Sequence, residues 1–176
     1  IIRDGLVKIY IEGTNGKNFI IKMAVPGDLI GLSGLFARER QNHQYSVISI
    51  SDSVICTFDK TYLKKLILEN KKLADKMFSL YCENIEFSYN RMATLGTKQM
   101  HGRLADAIFY FSEEKFLDYG LYSFLTRRDI AEYTGMSTEN AIRLLTEFKN
   151  DGLIDLEGKD VRINNKELLR KLSLIG

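Results

Sequence analysis

Residues 126–149 read TRRDIAEYTGMSTENAIRLLTEFK, two short helical patterns joined by a turn at Gly135. The Thr126 hydroxyl can accept a hydrogen bond from a free backbone N–H, and Asp129 can reach back to the same turn, so the first helix is predicted to begin here. Gly135 supplies the positive φ that ends it. Ser137 is predicted to cap the second helix, whose buried positions recur at helical spacing: Ala141, Leu144, Leu145 and Phe148. This pattern is typical of a helix-turn-helix.

The opposite face of the second helix carries side chains suited to reading DNA bases. Arg143 can donate two hydrogen bonds to guanine, and Glu139 can accept one from a cytosine amino group. The alternative is an i, i+4 ion pair between them on a solvated helix, worth about 0.2–0.5 kcal/mol. The next segment favours DNA reading, because GLIDLEGKDVRI, residues 152–163, alternates apolar and polar residues around Glu157-Gly158-Lys159 and predicts a β-hairpin wing.

Residues 125–163 resemble the winged helix-turn-helix of the cyclic-AMP receptor protein/fumarate-nitrate regulator (Crp/Fnr) superfamily of bacterial transcription factors. In that family the second helix begins Ser-Arg-Glu-Thr and carries an arginine three residues later; here it begins Ser137-Thr138-Glu139-Asn140 and carries Arg143. The resemblance implies that Thr138, Glu139 and Arg143 read bases, with Thr138 in place of an arginine. It also implies a set of phosphate contacts: Arg127, Ser137, Asn140 and Lys159, with His101 as a weaker candidate.

The function implied by this resemblance is sequence-specific regulation of transcription. The chain would bind a palindromic operator in double-stranded DNA as a homodimer, with RNA polymerase as a candidate partner. The alternative is an effector-binding or protein-interaction module without sequence-specific DNA binding. From Lys98 onward the chain has 12 Lys and Arg against 13 Asp and Glu, a net charge of −1, although nucleic-acid-binding domains are usually basic. DNA binding therefore depends on where the charges lie.

Short strands are predicted in the first half of the chain, at 6–11, 18–25, 45–50 and 54–58, with turn residues between them. With the helices that follow, they predict an α+β chain. This half resembles the sensor domain of the same superfamily, a partial double-stranded β-helix of the cyclic-nucleotide-binding type.

The segment that would hold a cyclic nucleotide departs from the family pattern. Residues 27–36 resemble the approach to its phosphate-binding cassette, but Leu32 stands where the family has a ribose-binding Glu, and His43 about where it has a phosphate-binding Arg. Leucine cannot bond a hydroxyl, and a neutral imidazole cannot replace a guanidinium. Cyclic AMP is therefore not the expected effector. The effector remains unknown, with candidate contacts at Leu32, Ser33, His43 and Gln44, and a constitutive DNA binder remains an alternative.

A long helix is predicted at about 73–95, ended by Gly96, which is also the predicted hinge. Its apolar residues approach a heptad stripe, which favours pairing with a second copy of the chain. The predicted dimer interface is Met77, Leu80, Tyr81, Asn84, Ile85, Ser88 and Met92. The alternative is packing on the β domain of the same chain. A two-fold dimer would place its recognition helices about 34 Å apart, facing successive major grooves.

Two domains are predicted: residues 1–97, the sensor with the dimerisation helix, and residues 98–176, the winged helix-turn-helix. Within the second domain, a helix at 97–112 precedes a short strand at 122–125, and a terminal helix at 165–172 follows the wing.

Composition argues against several other classes of protein. Cys56 and Cys82 are isolated in apolar patterns, so buried free thiols are expected. Two thiols cannot by themselves form a four-thiolate cluster site, and ligands on a preceding segment remain the alternative. The chain has only two histidines, so a metal enzyme is not expected, and neither is a cofactor. It has no apolar run of eighteen residues and no signal-peptide pattern, which predicts a cytoplasmic protein without membrane contact. Because it begins with Ile1, a preceding segment is expected to be missing.

Overall fold

The computed structural model describes residues 1–35 and 44–176, so the prediction for His43 lies outside the described residues. The β strands are β1 (Ile2–Asp4), β2 (Val7–Ile11), β3 (Phe19–Ala24), β4 (Ser46–Ser49) and β5 (Val54–Ile55). Strands β3, β2 and β4 form an antiparallel sheet in that order, and β1 pairs with β5. The predicted hairpin, now β2 and β3, is confirmed. A short helix that the sequence did not predict, α1 (Leu32–Leu35), follows it.

Two capped helices follow the strands. Helix α2 (Lys60–Glu69) begins at Asp59, whose carboxylate accepts a hydrogen bond from the backbone N–H of Tyr62. Helix α3 (Lys71–Thr97) begins at Asn70 in the same way. The long helix is confirmed, but Gly96 lies inside its last turn and does not end it.

The remaining elements form the C-terminal part of the chain. They are α4 (Met100–Phe111), α5 (Glu114–Leu117), α6 (Leu121–Phe124), α7 (Arg127–Thr134), α8 (Thr138–Asn150), β6 (Ile154–Glu157), β7 (Asp160–Ile163) and α9 (Lys166–Ile175). Strands β6 and β7 pair as the predicted hairpin. The α+β class is confirmed, whereas the division of the chain at Lys98 stays a prediction.

The short strand predicted at 122–125 is wrong, because these residues belong mainly to α6. Leu121 and Tyr122 are buried, and the Tyr122 hydroxyl donates a hydrogen bond to the carbonyl of Ile108 in α4. One helical turn directs the Tyr122 side chain towards α4, and this packing overrides the strand preference of an aromatic segment. Burial raises the pKa of Tyr122 to about 12.

One apolar core joins the β sheet to the C-terminal helices. Its buried members include Ile20 and Met23 of β3, Ile108 of α4 and Leu144 of α8. The Tyr110 hydroxyl crosses the same boundary, accepting from the Met23 N–H at 3.0 Å and donating to the Met23 carbonyl at 3.2 Å. Since burial raises its pKa well above the ordinary value, this phenol stays protonated as a donor.

Two charged side chains cross the same boundary. Arg91 of α3 is only 8% exposed and donates to the carbonyls of Ile20 in β3 and Tyr133 in α7. Its guanidinium carbon lies 3.7 Å from the centroid of the Tyr133 ring. Lys8 of β2 forms a 2.6 Å ion pair with Asp129 of α7. The long helix, the sheet and the helix-turn-helix are therefore connected by buried and partly buried polar contacts.

The expectation that both cysteines are buried is wrong for Cys56, which is exposed, while Cys82 is partly buried. Cys56 follows β5, a two-residue strand that pairs only with β1 in the described part of the chain. Among residues 1–35 and 44–176, no helix is both long and apolar enough to cross a membrane.

Candidate nucleic-acid interface

Local hydrogen bonds fix both ends of the first helix of the motif, α7. Thr126 accepts from the Asp129 N–H at 3.1 Å, and the Asp129 carboxylate accepts from the Thr126 N–H at 2.8 Å, which completes the predicted capping box. Burial alone would raise the pKa of Asp129, but the hydrogen bonds from Lys8 and Thr126 outweigh burial and lower it. At the other end Gly135 takes φ 65° and ψ 35°, as predicted.

The second helix, α8, presents its predicted faces. Ser137 caps it by accepting from the Asn140 N–H at 3.2 Å. The face towards the core is buried and comprises Ala141, Leu144, Leu145 and Phe148. Glu139 and Arg143 point outwards and are exposed, and Thr138 is half-buried. Hydrogen bonds from the Glu139 backbone and the Ser137 side chain lower the pKa of Glu139, which keeps this carboxylate an acceptor at neutral pH.

Arg143 takes part in a side-chain network around Glu147 that was not predicted from the sequence. Its Nη1 lies 3.3 Å from Oε2 of Glu147, so the helix-surface pair is Arg143–Glu147 rather than the alternative with Glu139. The other carboxylate oxygen, Oε1, lies 2.9 Å from Nε2 of His101 in α4. Glu147 therefore holds a predicted base-reading residue and a predicted phosphate contact in one network. Its i, i+4 spacing from Arg143 was the available signal.

Two of the predicted phosphate-contacting residues fasten the wing to the helices. Arg127 Nη2 donates to the Gly158 carbonyl at 2.8 Å, and Lys159 Nζ donates to the Ser123 carbonyl at 3.1 Å. Burial lowers the pKa of Arg127. Because Gly158 lies in the turn between β6 and β7, these bonds fix the tip of the wing beside the start of α7.

Two of the four predicted effector residues lie at a cavity between the sheet and α3. This cavity measures about 270 Å³, and Leu32 and Ser33 line it. Four residues of the predicted dimer interface line it from α3: Tyr81, Asn84, Ile85 and Ser88. Among the described lining residues the charged one is Lys22, whose Nζ lies 3.4 Å from the Asn84 side-chain oxygen. Gln44 is exposed next to the start of β4.

The outward side of α3 carries apolar residues that this cavity does not use. Phe78, Tyr89 and Met92 are exposed along it. The predicted interface included Met92 but missed Phe78 and Tyr89, although their spacing continues the same stripe.

Two family descriptions match the chain. Residues 1–70 match the cyclic nucleotide-binding domain, and residues 102–172 match the Crp-like helix-turn-helix domain. The transcriptional regulatory protein btr of Bordetella pertussis is 26% identical over 175 residues, which cover 97% of this chain and 71% of that protein. The fumarate and nitrate reduction regulatory protein of Escherichia coli is 26% identical over 176 residues, 98% of this chain and 69% of that protein.

Solved structures show the same fold. The structure of FixK2 from Bradyrhizobium japonicum superposes with a TM-score of 0.78 at 21% sequence identity, covering 97% of this chain and 84% of that one. At this identity the likeness concerns the fold: a cyclic-nucleotide-binding-type sheet, a long helix and a winged helix-turn-helix.

Proposed function

Because the chain belongs to the Crp/Fnr family of transcriptional regulators, we propose that it recognises a palindromic operator through the exposed face of α8. The observation that carries this proposal is the outward placement of Glu139 and Arg143 on a helix whose opposite face is fully buried. A helix held in this way presents its N-terminal half to the major groove.

Each base-reading residue has a distinct role in the proposal. The Arg143 guanidinium donates two hydrogen bonds to O6 and N7 of a guanine, and the Glu139 carboxylate accepts one from a cytosine amino group. Thr138, at the first position of α8, contacts a base through its hydroxyl or its methyl group. Arg143 must exchange its Glu147 partner for the base, and this exposed pair is weak enough to allow the exchange.

Phosphate contacts set the register of the protein on DNA. Ser137 and Asn140 lie at the N-terminus of α8, where free backbone N–H groups and the helix dipole favour an anion. Arg127 and Lys159 hold the wing tip beside α7 and retain N–H donors for the DNA backbone. Affinity therefore falls steeply with salt concentration.

Dimerisation through α3 supplies the second recognition helix that a palindromic operator requires. The exposed apolar side chains Phe78, Tyr89 and Met92 extend the predicted interface along its outer face. Pairing of two such helices would bury this stripe and place the two recognition helices about 34 Å apart, one helical turn of DNA. A palindromic operator follows from that two-fold symmetry.

Regulation is proposed to act through the cavity between the sheet and α3. Its apolar lining and its single described charge, Lys22, fit a small ligand other than cyclic AMP, since Leu32 offers no partner to a ribose hydroxyl. Calorimetry with cyclic AMP should give no specific heat of binding. Tight binding of cyclic AMP would contradict this assignment. The proposed site of action is the cytoplasm, with RNA polymerase as a candidate partner.

The decisive experiment selects operator fragments from random-sequence DNA with the wild-type protein and then measures variant binding at fixed salt. Arg143→Ala and Glu139→Ala should each weaken binding by about 1–3 kcal/mol and relax the preference at one base pair per half-site. Arg170→Ala, which removes an exposed arginine on α9, is the matched control and should leave the preference unchanged. Unaltered base preference in Arg143→Ala and Glu139→Ala would refute the roles assigned to them.

A further inference from the structure

Ile142 is an exposed apolar residue on the face of α8 that carries the proposed base readers. It is 47% exposed, whereas Ala141, directly before it, and Leu144, two residues after it, are fully buried. Successive residues of an α-helix are rotated by about 100°, so Ile142 lies about 40° from Thr138 and about 60° from Glu139 around the axis. It therefore occupies the reading face and not the core face.

Single exposed apolar residues are common on protein surfaces and need no function. The surroundings of Ile142 distinguish it. Glu139, three residues before it, and Arg143, directly after it, are both exposed. Around the helix axis Ile142 lies between Thr138 and Glu139. DNA that contacts both of these side chains in the major groove therefore also covers Ile142. An isoleucine offers no hydrogen bond, so it must be matched there by an apolar group.

The major groove of unmodified DNA presents one apolar group, the C5-methyl of thymine. We propose that Ile142 is a specificity-determining residue that packs against the C5-methyl of a thymine adjacent to the base pairs read by Glu139 and Arg143; this inference rests on the proposed function. A β-branched side chain in a helix has one strongly preferred χ1 rotamer, so its methyl groups are held in place before DNA binds. The contact therefore costs little side-chain entropy.

Thymine and uracil differ only by this methyl group, which gives a direct test. In an operator selected by the wild-type protein, thymines are replaced one symmetric pair at a time by deoxyuridine, and Kd is measured by fluorescence anisotropy at fixed salt. Losing one buried methyl contact weakens binding about fourfold, which is about 0.8 kcal/mol at 1.4 kcal/mol per tenfold. A symmetric pair should therefore weaken wild-type binding about fifteenfold at the thymine that Ile142 contacts.

Substitutions in the protein assign the effect to this side chain. Ile142→Ala should bind thymine and deoxyuridine operators equally at that position, while Ile142→Val should keep most of the wild-type ratio. Thr146→Ala removes another exposed side chain of α8, one turn further from the N-terminus, and should keep the full ratio. Alanine is the strongest helix former, so Ile142→Ala should fold, and circular dichroism checks this.

The outcomes separate this inference from the proposed function. If the wild type selects an operator but tolerates deoxyuridine at every position, or if Ile142→Ala retains the wild-type ratio, the role of Ile142 is refuted while DNA recognition stands. If the wild type selects no sequence at all, the proposed function itself fails.

Discussion

Arg91→Met should lower the free energy of unfolding by about 3 kcal/mol, although it alters neither the proposed DNA-reading face nor the apolar core directly. The Tyr133 carbonyl lies in the last turn of α7, where helix carbonyls lack an intrahelical partner, and Arg91 donates to it. Arg91 also donates to the Ile20 carbonyl at 3.4 Å. Methionine fills a similar volume but leaves both carbonyls without this donor.

The magnitude follows from four contributions. The hydrogen bond from the charged guanidinium to the Tyr133 carbonyl contributes about 1.5–3 kcal/mol, and the longer bond to the Ile20 carbonyl contributes about 1 kcal/mol. A desolvated guanidinium over an aromatic ring contributes about 2 kcal/mol. The guanidinium of Arg91 is desolvated, which lowers its pKa, and its buried Nε has no hydrogen-bond partner among the described residues. Removing this unpaired buried donor stabilises Arg91→Met by about 1–3 kcal/mol, which offsets part of the loss. The net loss of about 3 kcal/mol lies well outside experimental error.

Urea denaturation at one fixed protomer concentration measures the effect, because the proposed dimerisation would make stability depend on concentration. Arg91→Lys keeps the charge but loses the planar fork and its stacking, so it should lie between wild type and Arg91→Met. Arg162→Met, at an exposed position in the wing, is the control and should change stability by less than about 0.5 kcal/mol. A loss below about 1 kcal/mol in Arg91→Met would refute the structural role assigned to this arginine.

Three further predictions concern local contacts. Glu147→Gln should tighten operator binding about twofold in an anisotropy titration, because it frees Arg143 from an exposed i, i+4 pair; weaker binding would contradict this. Asp129 has a lowered pKa in the folded state, so its stabilising effect is present above about pH 3.9 and is lost as pH falls through the folded-state value. The difference in unfolding free energy between wild type and Asp129→Asn should accordingly shrink below about pH 4, and a constant difference would be evidence against the Lys8 ion pair. Gly135→Ala should cost more stability in thermal unfolding than Gly158→Ala: both positions have positive φ, but an added Cβ at Gly135 would lie 3.2 Å from a Leu95 methyl carbon, whereas none is close at Gly158. Equal losses would show that left-handed strain alone decides the cost.

The features that the sequence predicted correctly depend on short-range chemistry. Thr126, Gly135 and Ser137 act on backbone groups within a few residues, so their roles can be recognised from spacing alone. The wing could be predicted in the same way, because its alternating apolar and polar residues and its Glu157-Gly158-Lys159 turn lie within twelve residues.

The features that the sequence missed depend on long-range contacts. Arg91 meets a carbonyl 42 residues away and another 71 residues away, and nothing in its helical neighbourhood distinguishes it from a solvated arginine. The apolar sequence around Cys56 suggested burial, but the exposure of its side chain depends on how many strands pack beside β5. The segment at 122–125 had strand-like composition, yet contact with α4 gave it one helical turn.

The same long-range contacts define what a regulatory ligand must overcome. The proposed effector cavity lies between the sheet and α3, and Arg91 and the Lys8–Asp129 pair join those elements to α7. Asp129 also completes the cap of α7, so moving the sheet away from α7 removes a partner from the start of the helix-turn-helix. A ligand shifts such an equilibrium only by its difference in affinity for the two arrangements, and reversing a 99:1 population takes about 5.5 kcal/mol. Arg91 alone contributes about half of that value. A ligand that reverses such a preference must therefore bind the separated arrangement about ten thousand times more tightly than the joined one.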